Sequence, residues 1–153
     1  MTGGDWDWDD PEIPDDELLY RKVLGREGHV TWDAENDCYR PGVAALSRDP
    51  HTGLSTHAGS LLELRGRRPE TLYDSERYYT MNFRAAIPRE VPTVGVIYVE
   101  AEVEHEPDED LRFAHAEVRP ENPGRNRPLW NRVRDNIIRN SSWVGEAPTD
   151  LPK

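Results

Sequence analysis

The sequence predicts a single small α+β domain, mainly antiparallel sheet with a late amphipathic helix, preceded by a disordered acidic tail. Three observations lead there. TVGVIYVEAEVEHE, residues 93–106, is rich in valine and alternates after Tyr98, as a half-buried strand does. PLWNRVRDNIIRN, residues 128–140, repeats Leu129, Val133 and Ile137 at four, with Trp130 and Ile138 widening the stripe. Strand-like segments come first and the clear helix last, an order that suits α+β rather than alternating units.

Taken in order, MTGGDWDWDDPEIPDD, residues 1–16, combines glycine, proline and dense charge and is expected to be disordered. LLYRKVL, residues 18–24, alternates and opens the body as a strand. HVTW, residues 29–32, is a short strand after a glycine turn. VAALS, residues 43–47, follows Pro41-Gly42 and reads as a buried strand. Leu54 to Thr56 forms a small strand, and SLLELRG, residues 60–66, a short helix capped by Ser60. RFAHAEV, residues 112–118, alternates again, so a hairpin through DED is expected to join it to the valine-rich strand. Pro128 suits the first position of the late helix. The globular domain spans residues 17–148, with 149–153 a C-terminal tail.

A chain of 153 residues supports one modest core. The first seventeen residues hold eight carboxylates and no base, so the rest carries only −3 of the total −11. The body is nearly balanced, and generic acidity is not a property of the fold. Cys38, the single cysteine, makes no internal disulfide, which fits a reducing cytoplasm. No apolar run approaches the length a bilayer needs, and the acidic N-terminus does not read as a signal peptide, so no membrane role is expected. Nearly all the bases are arginine, a bias that base composition of the genome explains as readily as function does.

Candidate chemistry gathers first in DPHTGLSTHAG, residues 49–59, where His51 and His57 sit among hydroxyls and glycines. His57 with Ser55 and Thr56 suits a phosphate or ribose hydroxyl; a polar turn satisfying its own backbone is the plainer reading. His51, His57, His115 and Glu117 match no metal-ligand spacing, so no metal is expected. His29-Val-Thr31 supplies one half of a paired HxT arrangement, and His115-Ala-Glu117 lacks the second hydroxyl. Arg65, Arg67 and Arg68 form one basic cluster. Arg119, Arg125, Arg127, Arg132, Arg134 and Arg139 form another near Trp130, the footprint of a nucleic-acid surface, although the body is not net basic. In the tail, Trp6 and Trp8 alternate with aspartates as an interaction motif does, aromatics anchoring and acids steering.

LYRKV, AALSRD, GLSTH, FAHAEV and SSWV, in that order, resemble a group of small bacterial proteins of uncharacterised function. Their pattern runs from an LYR start through an LS strand and a His-Ala segment to a closing Trp-Val, and covers residues 18–145. AAL stands where the family has an aromatic-ended strand, and Thr56-His57 where it has Val-Asp. Arg21 on the first strand, followed by Ser55-Thr56, is also loosely similar to the ADP-ribosyltransferase plan, including RES-type toxins. That resemblance implies Arg21, Ser55, Thr56, His57 and Glu117 as catalytic residues around NAD, with the acid near a developing ribosyl cation.

The leading expectation is a soluble binding or regulatory module holding a protein partner through Trp6 and Trp8. His51 and His115 are further binding candidates. The family resemblance implies a partner encoded nearby, as in toxin–antitoxin, immunity or phage-defence pairs. The alternative is the NAD-consuming transferase, and a third reading is an RNA- or DNA-binding module.

Overall fold

The computed structural model of the protein describes residues 6–48 and 52–153. Its chain builds β1 (Leu18–Leu24), β2 (Val30–Asp33), β3 (Cys38–Pro41), β4 (Leu54–Ala58), α1 (Gly59–Leu64), β5 (Tyr78–Arg84), α2 (Ala86–Arg89), β6 (Val94–Tyr98), α3 (Glu109–Ala114), β7 (His115–Pro120), α4 (Arg127–Asn140) and β8 (Ser142–Val144). Six strands form one sheet in the order β6-β7-β4-β1-β5-β8, every neighbouring pair antiparallel. β2 and β3 pair as a separate hairpin. The fold is α+β, with an antiparallel sheet and a late helix.

Strand alternation gives the sheet two buried faces. Leu19 and Val23 of β1, Met81 and Phe83 of β5, and Ala116 and Val118 of β7 join Trp130, Val133 and Ile137 of α4 in the main core. Each of the Val, Leu, Ile, Met and Phe side chains among them contributes roughly 1.5–3 kcal/mol by leaving water. On the other face Tyr20 meets Leu62 of α1 and Leu111 and Ala114 of α3. Asn126 caps α4 by accepting from Leu129 N at 3.1 Å, and Trp130 fixes it by donating Nε1–H to the Leu46 carbonyl at 3.0 Å.

Several elements depart from expectation for local reasons. The valine-rich strand stops at Tyr98, because β7 offers partners only from His115 to Pro120. Beyond it, the glutamates at 100, 102 and 104 are exposed. Of the expected hairpin partner at 112–118, residues 115–118 do pair antiparallel with β6 as part of β7, while 112–114 belong to α3. Asp108 is the reason: its carboxylate accepts from Asp110 N at 2.9 Å and Leu111 N at 3.2 Å, capping a helix with acids in its first turn. VAALS is a 3-10 turn at Val43–Leu46 rather than a strand. Ser60 does not cap α1; its N–H is capped from outside by Glu17 Oε1 at 2.8 Å. β3, β5, α2 and β8 add to the elements expected.

Residues 6–16, expected to be disordered, lie against the body; residues 1–5 are outside the described chain. β6 is an edge strand, and the acidic arm completes it. Asp10 N donates to the Val96 carbonyl at 2.9 Å, while Val96 N donates to Asp9 Oδ1 at 2.9 Å. Those bonds satisfy backbone groups that an open edge leaves exposed. Gly95 makes the approach possible, since a Cβ there would stand 2.2 Å from Asp9 Cβ. Arg89 at the end of α2 ties the arm down, donating to Asp9 Oδ1 at 3.1 Å, Ile13 O at 2.8 Å, Asp15 Oδ1 at 2.9 Å and Asp10 O at 2.9 Å. Ile13, 2 % exposed, belongs to the main core. Charge density argued for disorder; one buried isoleucine and one central arginine outweigh it. At the other end Leu151 packs against the core and Lys153 lies over the Trp32 ring, so the C-terminal residues also rest on the body.

Candidate functional site

The register of β1, β4 and β7 divides the candidate catalytic residues between the two faces of the sheet. Tyr20 pairs with His57, His57 with His115, and Ser55 with Glu117, so Ser55, His57, His115 and Glu117 share one face. Thr56 pairs with Ala116 on the opposite face and donates its hydroxyl to the Ala116 carbonyl at 3.0 Å. Arg21 stands between core-facing Leu19 and Val23, opposite Met81. β1 and β4 cease to pair beyond Tyr20, and the Arg21 guanidinium bridges the gap. It donates to Ser55 O at 2.7 Å and Ala45 O at 2.8 Å. Burial lowers its pKa to about 10, which leaves it charged at neutral pH. Arg21 is thus bonded to two backbone carbonyls on the face away from Glu117. The five residues do not converge on one cleft.

Those that share a face form a polar row. His57 Nδ1 shares a hydrogen bond of 2.6 Å with the Tyr73 hydroxyl, which also donates to the Tyr20 carbonyl at 3.3 Å, and the His57 ring centroid stands 6.1 Å from that of His115. The carbonyl of Val99 takes the His115 Nδ1 proton at 2.7 Å, and Nε2 lies 4.0 Å from Glu117 Oε2. Glu117 Oε1 accepts from Arg119 Nε at 2.8 Å and Gly53 N at 3.1 Å. A Cβ on Gly53 would meet Val118 O at 2.6 Å, so only glycine lets the loop reach this carboxylate. Burial, then the charges of His115, Lys22 and Arg21, lowers the His57 pKa to about 3, while burial raises that of Tyr73. The imidazole of His57 is therefore neutral across the physiological range. The row is held by its neighbours Tyr73, Val99, Arg119 and Gly53, as a buried polar network requires. No trio of histidine, cysteine or carboxylate side chains is placed to hold a metal among the described residues.

The binding candidates fare differently. Trp6 donates Nε1–H to the Pro120 carbonyl at 3.0 Å and lies under the Arg119 guanidinium, 4.3 Å from its carbon. Trp8 is half-buried in the same arm. The acidic arm folds back in cis. His51 falls outside the described residues.

The basic clusters separate by their partners. Arg65 and Arg67 face Asp108 and Asp110 at 2.9–3.3 Å. Arg119 is held by Glu117. Arg125, Arg127 and Arg134 have no carboxylate pair among the described residues. With Arg48 they line a groove of about 500 Å³ at the N-terminal half of α4. Arg48 donates to Thr52 O at 3.1 Å and Gly124 O at 2.7 Å and stacks over Trp130 at 5.1 Å. No acidic residue is among the described residues lining the groove. The arginine run after residue 118 points to it in the sequence; Ser47 and Arg48, nearly eighty residues upstream, carry no such signal.

Comparison with known protein families, curated proteins and solved structures gives no match for this chain. The polar atoms of His57, His115 and Glu117 are met by neighbouring protein groups, whereas Arg125, Arg127 and Arg134 have no carboxylate pair among the described residues.

Proposed function

We propose that this protein is a ligand-binding module whose site is the arginine groove beside α4, and that the ligand is an anion bearing phosphate. The observation that carries this is convergence. Arg125, Arg127 and Arg134, none with a carboxylate pair among the described residues, line one cavity with no acid among its described lining residues, whereas Arg65, Arg67, Arg89 and Arg119 are each held by a carboxylate. Guanidinium groups suit phosphate because their planar fork donates two parallel bonds. The positive end of the α4 dipole adds to the attraction. The acidic arm has a smaller part in this reading than the sequence suggested, because Trp6, Asp9 and Asp10 already bond to the body.

The test is thermal melting in sodium phosphate against sodium chloride at matched ionic strength. A ligand bound only by the folded state adds about 2.7 kcal/mol at a hundredfold excess over Kd. Tm should rise with phosphate and the rise should vanish in the Arg127→Gln, Arg134→Gln double variant. Identical melting of the native chain in both salts refutes the reading.

A further inference from the structure

Resting on that reading, we infer that the groove recognises a diphosphate group carried by a small molecule, rather than a single phosphate or a nucleic-acid chain. The described side chains lining the groove are mainly donors. Asn126 Oδ1 accepts from Leu129 N and Asn131 Oδ1 from Arg134, so both amides turn their oxygens inward and leave NH₂ groups for a ligand. The Ser47 hydroxyl and the guanidinium groups complete the lining. A ligand matched to such a surface is all acceptor, which phosphate oxygens are.

Size and charge argue for two phosphates. Arg127 and Arg134 are two helical turns apart, roughly 10 Å along the axis, longer than one phosphate. The guanidinium groups of Arg125, Arg127 and Arg134 alone exceed the charge of a single phosphate, roughly −2. Arg134 Nε is buried with no hydrogen-bond partner among the described residues, an unmet donor at the far end of the row.

Two observations argue against nucleic acid. Single-stranded chains need aromatic faces for their bases, and Trp130 is 7 % exposed with Arg48 across its ring. A backbone track needs a stripe of free charge, yet Arg132 and Arg139 further along α4 share a cavity with Glu90 and Asp135, and the arginines at 65, 67, 89 and 119 are neutralised by neighbouring carboxylates. The positive field is local on a chain of net charge −11. A cavity of about 500 Å³ suits a small molecule.

The experiment is calorimetric titration of the full chain with orthophosphate, inorganic pyrophosphate, ADP and a short oligothymidylate. Pyrophosphate and ADP should each bind about tenfold or more tighter than orthophosphate, a gap of roughly 1.4 kcal/mol. ADP the tighter of the two identifies a nucleotide source; pyrophosphate equal or tighter identifies an inorganic one. Arg127→Gln, an exposed position, should weaken both without lowering Tm, which separates lost binding from lost folding. Orthophosphate matching pyrophosphate overturns the diphosphate inference and leaves the anion site standing. Oligothymidylate binding tightest overturns it in favour of nucleic acid, and no binding by any probe removes the site as well.

Discussion

His57 shows how tertiary neighbours set the state of a residue whose sequence context suggests reactivity. Two histidines among hydroxyls suggest chemistry, and nothing in the sequence shows that His57 lies under Tyr73 and beside His115. Its folded-state pKa of about 3 lies far below the 6.5 of the free side chain. The unfolded chain therefore binds a proton that the folded chain refuses. Stability from this site is complete above pH 6.5 and is lost as pH falls from there toward 3. The loss is about 1.4 kcal/mol per pH unit. His115, Lys22 and Arg21 deepen the shift, and Asp108 opposes it. Replacing His57 with Gln keeps a polar group opposite the Tyr73 hydroxyl and removes the titration. Chemical denaturation of the two chains across this range should show a shallower acid limb for the variant. Parallel acid limbs would place the acid sensitivity elsewhere.

At the scale of elements, what was legible followed from periodicity, and what was not followed from tertiary partners. β1 and α4 are readable because alternation and a four-residue repeat match the faces they bury. β5 was equally legible, with Tyr79, Met81 and Phe83 on the core side, yet its polar intervening residues drew no attention. α3 was misread because alternation in RFAHAEV hid the capping aspartate before it. The acidic arm was the largest difference: composition reports its charge, and only the fold reports Arg89. That arginine, 15 % exposed, makes four contacts that hold residues 9–15. Removing one partner from such a network leaves carboxylates and carbonyls unsatisfied, at roughly 1–3 kcal/mol. Arg89→Gln should lower unfolding free energy by about that amount and expose the arm to proteolytic nicking before the body. Unchanged stability and nicking would mean that Ile13, Trp6 and the bonds to Val96 hold it without Arg89.

For the whole molecule, two sites on opposite sides of the core compete for a functional role. The sheet places the polar row of His57, His115 and Glu117 under α1 and α3, while the arginine groove lies beside α4 with the main core between. NAD distinguishes them because it belongs to both readings: a transferase would engage its ribosyl bond, whereas the groove would engage its diphosphate. Melting with millimolar NAD in the native chain, His57→Ala and Arg127→Gln separates the two. The groove reading expects an upward shift that survives in His57→Ala and disappears in Arg127→Gln. A shift lost only in His57→Ala would return the polar row to the centre and make NAD hydrolysis the next assay. Arg127 is exposed and bears no described ion pair, so its substitution should leave unliganded melting within about 0.5 kcal/mol of the native chain. His57→Ala opens a partly buried polar network and should melt lower before any ligand is added. Each chain must therefore be compared with itself, with and without NAD, so that a loss of binding is not mistaken for a loss of fold.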